Sequence, residues 1–371
     1  MKNGEKFTTA GEVVRIVAPD GSFLAMGGIT GGNARILAKV WSFRDEEIND
    51  EFFRRKLREA YRYRMSVFSG ELPEAYRLVH AESDFLPGLI VDIFHNYAVL
   101  QITSGIMEDK KTRIASLLME EFSLEGVYER SDVESRLLEG LENCQGVLAG
   151  KDVPALFTFR ENDILFSSDP RDGHKTGFYL DQRINRLRVI EAAGNCKNVL
   201  NCFSYTGGFG LAAIKGGAEK VLNIDSSGPA LERAKENAAL NGFPPEAFQV
   251  ECADVFSYLR FCRDARKRFD MIILDPPKFA ESMAKKEKAA RAYKDINLLA
   301  IKLLNPGGKL FTFSCSGAMD QELFRKVLYS AAMDAGRELR LSATLTQGPD
   351  HPVSISFPEG AYLKGFYGIV D

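Results

Sequence analysis

Two short stretches of the sequence combine residue types that chemistry uses. The apolar run Met271–Leu274 ends in Asp275-Pro276-Pro277-Lys278-Phe279. Two prolines fix the backbone and remove two amide donors, so a carboxylate and a carbonyl are presented where the run stops. That suits holding the polar edge of a flat nucleobase, with Phe279 beside it for stacking. A rigid stop between strand and loop is the plainer alternative. The run Lys309–Ser314 ends in Cys315, flanked by Ser314, Ser316 and Gly317. A lone cysteine usually packs as a small hydrophobe, but these neighbours argue against a core position. A thiolate at a ligand crevice is a nucleophile. Cys202 is the rival thiol, and its place between strand and turn suits packing beside a cofactor.

Three further features align with these. The run Val199–Phe203 leads into Asn201–Gly210, NCFSYTGGFG. Its glycines permit a tight turn and a close ligand approach. The spacing is not the G-x-G-x-x-G that seats a pyrophosphate on a helix N-terminus. A nucleoside cofactor without phosphates, such as S-adenosylmethionine, needs no such seat. Asp225 ends the run Val221–Asp225, where a carboxylate accepts ribose hydroxyl protons, in a nicotinamide or an S-adenosylmethionine site alike. Asp254 follows Phe248–Cys252. It suits the adenine amino group or the N-cap of a helix over Val255–Arg268, and the two roles are compatible.

These residues need a common edge, and the pattern from about residue 173 onward supplies one. Apolar runs alternate with helical segments, a βαβ series that predicts an open, mostly parallel sheet with helices on both faces. Ligands in such α/β sheets bind beyond the carboxyl ends of the strands. The preceding chain differs. Gly11–Val17, a turn at Asp20-Gly21, Phe23–Met26 and Arg35–Phe43 read as a small β unit. Helical periodicity follows from about Asp50 to Arg64, with Arg54, Arg55, Lys56, Arg58, Arg62 and Arg64 among Phe52, Phe53, Tyr61 and Tyr63. A solvated basic face is preferred there over an RNA-phosphate stripe. Residues 76–105 read as a meander, followed by a helix near 107–121, a strand at Gly126–Arg130 and a hairpin from Val153–Phe159 to Asp163–Ser168. This mixture predicts a separate α+β domain. The expected division is 1–72, 73–172 and 173–371.

Composition is that of a globular chain: 371 residues, 45% hydrophobic, 27% charged, net charge −3. It excludes a wholly disordered, collagenous or coiled-coil chain and suggests two or three domains. The six cysteines form no C-x-x-C pair, so no metal site is expected. The near-neutral charge argues against a protein that coats nucleic acid by charge alone, while leaving room for a local basic face. No apolar run approaches the ~20 residues of a membrane span, and the N-terminus has no apolar signal core. A cytoplasmic protein without a membrane partner is expected.

Taken together, the sequence resembles the class I methyltransferases that use S-adenosylmethionine. More narrowly, it is similar to the bacterial family of large-subunit (23S) ribosomal RNA cytosine-C5 methyltransferases. The resemblance rests on His174–Arg183 (HKTGFYLDQR) with Asn185-Arg186, on the loop Asn201–Phe209, and on Asp225, Asp254, Asp275–Phe279 and Ser314–Ser316. Leu86–Asp92, Tyr128–Asp132, Pro349–Pro352 and Phe357–Gly360 add to it. It implies an N-terminal RNA-binding PUA domain, a central α+β domain and a Rossmann-like catalytic domain. Family members carry an Arg-His-Pro-Trp-type strand before the first hairpin. This chain starts almost at Gly11 without it, so a shortened PUA-like domain is expected.

The resemblance also implies roles. Cys315 would add to cytosine C6, while Asp275 holds the base edge and the cofactor side of the crevice. Asp225 would hold ribose, Asp254 adenine, and Phe203, Ser204, Tyr205 and Gly207 the methionyl end. Pro276, Pro277, Lys278 and Phe279 would meet the substrate, with Lys278 standing where some such enzymes have a second cysteine. Gln182 and Arg183 would close over the cofactor or touch the RNA backbone, and Lys285–Lys294 would contact RNA. The partner would be 23S rRNA or a large-subunit assembly intermediate, and a homodimer is compatible. Two alternatives stay open: methylation of guanine or an exocyclic amine, which needs no covalent cysteine, and a non-catalytic RNA-binding assembly factor. An NAD-dependent dehydrogenase is disfavoured by the missing pyrophosphate fingerprint.

Overall fold

The computed structural model describes residues 10–32, 36–173, 176–279 and 286–371. They fall into two compact units, one drawn from 1–161, 168–181 and 349–360, the other from 162–167, 182–348 and 361–371.

The first unit opens with an antiparallel sheet of β1 (Val13–Val17), β2 (Phe23–Ile29) and β3 (Ala38–Ser42). The start of the expected strand at Arg35 lies outside the described residues. Asp20 shapes the first turn, its Oδ1 accepting from the Ser22 amide at 2.9 Å and hydroxyl at 2.7 Å. Asn49 caps α1 (Asp50–Val67) by accepting from the Phe52 amide. Phe53, Leu57, Ala60 and Arg64 recur at three- and four-residue spacing and are buried.

Next come β4 (Ala75–His80), β5 (Leu89–Phe94), β6 (Tyr97–Ile102), α2 (Gly105–Glu108), α3 (Lys111–Phe122), β7 (Gly126–Ser131), α4 (Ser135–Leu138), β8 (Cys144–Gly150) and β9 (Phe157–Glu161). Strands β4 to β8 form one sheet in chain order. Its single parallel pair, β6 with β7, is joined by the α2–α3 crossover that a parallel connection requires.

Trp41, Phe52, Phe53 and Leu57 lie in the same hydrophobic core as Leu78, Val91, Leu100, Ile114 and Leu118. No separation of cores falls at the expected boundary of 72, because α1 buries its apolar face with the meander. Residues 349–360 also differ from the expected division, being part of this unit. Asp350 anchors them: its Oδ2 accepts from the Arg77 amide at 3.0 Å, and its carbonyl from Arg64 Nη2 at 2.9 Å.

Around that anchor lies a buried charged network. Arg77 makes a two-pronged contact with Asp92, both bonds at 2.8 Å, and Arg64 does the same with Asp84 at 2.6 and 2.8 Å. Thr176 donates to Asp92. The rings of His80 and His351 sit 5.2 Å apart, and His351 Nδ1 lies 3.0 Å from Asp350 Oδ1. Burial, and then the Arg77 charge, push both imidazoles below their ordinary value, with Asp350 opposing at His351.

The second unit contains β10 (Ile164–Ser168), α5 (Arg183–Ala192), β11 (Asn198–Cys202), α6 (Gly208–Lys215), β12 (Lys220–Asp225), α7 (Gly228–Leu240) and β13 (Phe248–Cys252). It continues with α8 (Val255–Asp264), β14 (Phe269–Leu274), α9 (Lys286–Leu303), β15 (Leu304–Ser314), α10 (Gln321–Ala335), β16 (Leu339–Leu345) and β17 (Lys364–Val370). The sheet has seven strands in the order β13-β12-β11-β14-β15-β17-β16. Pairs from β13 to β15 are parallel, as the alternation predicts. β17 lies between β15 and β16 and is antiparallel to both. No helix among the described residues is long and apolar enough to cross a membrane.

The two histidines give the first unit a pH signature. Their folded pKa is depressed, so the unfolded chain binds more protons once pH falls below about 6.5. Stability is full above that value and is lost as pH drops. The thermal midpoint of the wild type is expected to fall between pH 7.5 and pH 5.5, and His351→Gln to flatten that slope. Equal slopes in the two proteins would remove the histidines as its cause.

Candidate active site

The carboxyl ends of β11, β12, β14 and β15 carry the residues singled out by the sequence. Beyond β11 the backbone takes the left-handed conformation three times, at Phe203 (φ 58°), Tyr205 (φ 47°) and Gly207 (φ 81°). Such strain at residues other than glycine costs of order ~1 kcal/mol each and clusters at ligand sites. The turn is fixed from both sides. The Ser204 amide donates to Ile224 O at 3.0 Å, and the Gly207 amide to Ser204 O at 2.8 Å. Asp225 accepts from the Tyr205 amide on Oδ2 at 2.8 Å and from the Ser227 amide on Oδ1 at 2.9 Å. An ionised carboxylate has about four acceptor sites, so capacity for ribose hydroxyls remains. At Gly207 an added Cβ would lie 2.9 Å from the Phe248 ring and 3.0 Å from Ala234 Cβ. The Ser204 hydroxyl is buried and has no hydrogen-bond partner. A spare carboxylate, an unpartnered hydroxyl and a loop with no pyrophosphate spacing fit the nucleoside and amino-acid ends of S-adenosylmethionine.

Asp254 caps α8, its Oδ1 accepting from the Ser257 amide at 2.9 Å and hydroxyl at 2.8 Å. The capping role is thus real, and it engages Oδ1.

Beyond β14, Asp275 is steered by a relay of amides that the sequence did not reveal. Gln182 Nε2 donates to Asp275 Oδ2 at 3.0 Å. Asn185 Nδ2 donates to Gln182 Oε1 at 2.6 Å and to the Thr346 carbonyl at 3.0 Å. Gln182 therefore serves the carboxylate, where a cofactor or RNA contact was expected. Arg183 is 5% exposed. Pro276 is buried, while Pro277 and Lys278 are exposed. The half-buried Phe279 ring packs on Tyr293 at 4.7 Å, Phe256 at 5.6 Å and Phe203 at 6.2 Å, which fastens the loop to the core.

Cys315, half-buried beyond β15, has its Sγ 4.0 Å from the Pro276 carbonyl. Parallel pairing of Leu274 with Thr312 brings Asp275 and Cys315 to the same edge. Tyr293 lies beneath: burial pushes its phenol above the ordinary value, and Ser314, Cys315 and Asp275 face it. Cys202 is fully buried, and burial pushes its thiol up, which makes it a packing residue. A second missed residue is Lys364 at the start of β17. Its Nζ donates to Ser316 O and to Tyr362 O, both at 2.8 Å. Its only signal in the sequence would have been recognition of β17 itself.

On α1, Arg54 pairs with Glu120 and Glu121, Arg58 with Glu121, Arg55 with Glu46 and Lys56 with Glu59, while Arg64 departs from the expected solvated face, being fully buried against Asp84. On α9, Lys294 pairs with Asp334 at 2.6 Å and Arg291 faces Glu287 at 3.7 Å. Lys285 of that stretch, and His174 and Lys175 of the entering segment, lie outside the described residues.

A parallel sheet with one reversed strand near its edge, joined to a nucleoside loop with no seat for a pyrophosphate, is the scaffold of a class I methyltransferase. Known proteins agree. Residues 142–354 match the family model described as S-adenosylmethionine-dependent methyltransferase. The chain is 46% identical to the "Ribosomal RNA large subunit methyltransferase I" of Vibrio cholerae, over 96% of this chain and 90% of that one. The chain belongs to the S-adenosylmethionine-dependent methyltransferases, within the group of relatives that bear that name. S-adenosylmethionine is its cofactor, and it is an enzyme. The fold recurs in a candidate SAM-dependent methyltransferase from Streptococcus mutans (TM-score 0.85, 22% identity, 98% of this chain and 93% of that one). It recurs also in a candidate methyltransferase complexed with SAH (TM-score 0.86, 22% identity, 98% and 92%).

Gly207→Ala tests the loop. Placing Cβ at a left-handed position costs about 1–2 kcal/mol, and the close neighbours at that point add to it. The expected result is a lower thermal midpoint and, by calorimetry, S-adenosylmethionine binding weakened about tenfold or more. Unchanged affinity would show that the loop does not need this conformation.

Proposed function

We propose that the protein methylates C5 of a cytosine in large-subunit (23S) ribosomal RNA through a covalent adduct with Cys315. The observation that carries this reading is the half-buried Cys315 thiol 4.0 Å from the Pro276 carbonyl, at the edge where Asp275 ends β14. The name borne by the Vibrio cholerae relative supports ribosomal RNA as the substrate.

S-adenosylmethionine supplies an electrophilic methyl group. Asp225 would hold its ribose, Asp254 its adenine, and the 203–207 loop its methionyl end, with Asp275 facing both cofactor and base. Cytosine C5 is a weak nucleophile. In this reading the Cys315 thiolate would add to C6, forming a sulfur–carbon bond, and the C5–C6 electron pair would take the methyl group as its bond to the sulfonium sulfur breaks, with S-adenosylhomocysteine as the leaving group. Asp275, pinned by Gln182, accepts a hydrogen bond from the base edge and stabilises protonation at N3 as the thiolate adds. Loss of the C5 proton to water then restores the double bond and expels Cys315 as thiolate. Pro276 and Pro277 keep the loop from rearranging, Lys278 stands exposed for RNA phosphate, and Phe279 holds the loop down.

RNA capture would fall to the first unit, with the β1–β3 sheet as the PUA-like part. Phe43, which follows β3, is 60% exposed, and an exposed aromatic ring suits an unstacked base.

The test is nucleoside mass spectrometry of unmethylated 23S rRNA incubated with S-adenosylmethionine and either the wild type or Cys315→Ala. The expected outcome is 5-methylcytidine from the wild type alone, with cofactor affinity equal in both proteins. A different methylated nucleoside, made equally by both, would replace the cytosine mechanism with one that needs no covalent thiol.

A further inference from the structure

We propose that Lys364 is a positioning residue that holds Cys315 in its thiolate form; its catalytic consequence rests on the cytosine-C5 reading above. The fold brings the two together across 49 positions of sequence (364 − 315). β17 runs antiparallel to β15 with Lys364 opposite Ser314, the residue before Cys315. The Lys364 side chain then donates to the carbonyl of Ser316, the residue after it, at 2.8 Å. A second bond of 2.8 Å to the Tyr362 carbonyl fixes a stem that is otherwise flexible. Lys364 thus brackets the cysteine, by backbone on one side and by ammonium on the other. An ammonium has three N–H donors. Two are committed to carbonyls, and the third is available to an anion.

The surrounding charges are mixed. Asp275 and Lys278 lie beyond β14, Tyr293 lies on α9, and Asp320 follows Cys315. Burial pushes the Lys364 amine below its ordinary value; Cys315 and Asp320 oppose that shift, and Lys278 adds to it. Coupling between two titrating groups is mutual. The amine keeps its proton more readily when the thiol has lost its own, and the thiolate forms more readily beside the ammonium. An ordinary thiol with a pKa near about 8.5 is only a few per cent thiolate at neutral pH, and a neighbouring lysine raises that fraction.

The measurement is the rate of iodoacetamide alkylation of Cys315 against pH, followed peptide by peptide in the full-length protein. Exposed Cys252 serves as the internal reference. In the wild type the Cys315 midpoint is expected below that of Cys252. In Lys364→Gln, which keeps an N–H donor and loses the charge, the Cys315 midpoint is expected to rise by about one unit. Its rate at pH 7 should fall about tenfold. Lys364→Arg, which keeps a cation, should restore most of the wild-type curve, and Cys252 should be unmoved throughout. A wild-type midpoint at or above that of Cys252 overturns the proposal without any variant. An unmoved midpoint in a Gln variant that still binds S-adenosylmethionine overturns it as well. The methylation assay of Cys315→Ala reports separately on the cytosine reading, since alkylation does not depend on which base is methylated.

Discussion

The ladder between β14 and β15 sets Leu274 opposite Thr312, and the reactive edge depends on that register. β14 stops at the paired Leu274 and β15 runs on to Ser314, so Asp275 follows directly on the paired position and Cys315 stands three residues past it on the neighbouring strand. A slip of one residue would turn each side chain to the opposite face of the sheet and separate the carboxylate from the thiol. The reversed strand β17 guards the register from the far side. It can lie close to β15 only because Gly365 has no side chain: an added Cβ would stand 2.5 Å from the Phe313 ring. Gly368 does the same toward β16, where a Cβ would meet the Arg340 carbonyl at 2.7 Å. The two glycines are therefore part of the site, though neither touches it.

The first unit solves a different problem. Buried ion pairs such as Arg77–Asp92 recover roughly what desolvation costs them, yet removing one partner typically costs about 3–5 kcal/mol. Arg64 and Arg77 spend their remaining donors on Asp84, on Asp350 and on backbone carbonyls. Such a network adds little net stability but tolerates few alternative arrangements. It selects one seat for residues 349–360, which leave the second unit's sequence after Gly348 and return to it at Ala361.

The parallel half of the second unit was legible because its strands are buried on both faces and read as unbroken apolar runs, each ending in the residue that matters. β16 and β17 were not legible for the complementary reason. β16 is largely exposed, and β17 is interrupted by Gly365 and Gly368, so neither resembles a core strand. β8 was hidden the same way, being half-exposed with glycines at 146 and 150. At the candidate site, sequence position placed Asp225, Asp275 and Cys315 at one edge, because strand ends in α/β sheets converge. It did not reveal that Phe279 packs on Tyr293 or that Arg183 is buried, because a residue's place in a motif says nothing of what packs on it. Gln182 and Lys364 show the limit plainly: each acts on a residue 93 or 49 positions away (275 − 182 and 364 − 315), and only the closed sheet makes them neighbours.

The six cysteines are divided by environment. Cys202, Cys196 and Cys262 are buried, and burial pushes each thiol up, where it is inert. Cys144 donates to Glu129 at 3.1 Å, and burial together with that carboxylate pushes its thiol up as well. Cys252 is exposed on the far side of β12 from the Asp-Pro-Pro loop. Cys315 differs in kind: half-buried, at the strand edge that Asp275 shares, and bracketed by a strand that brings a cation with it. A nucleophile must be dry enough to be reactive and open enough to be reached. For the proposed nucleophile the fold serves both conditions by ending β15 at Ser314, one residue before the thiol, and by laying beside it a strand that begins on a lysine.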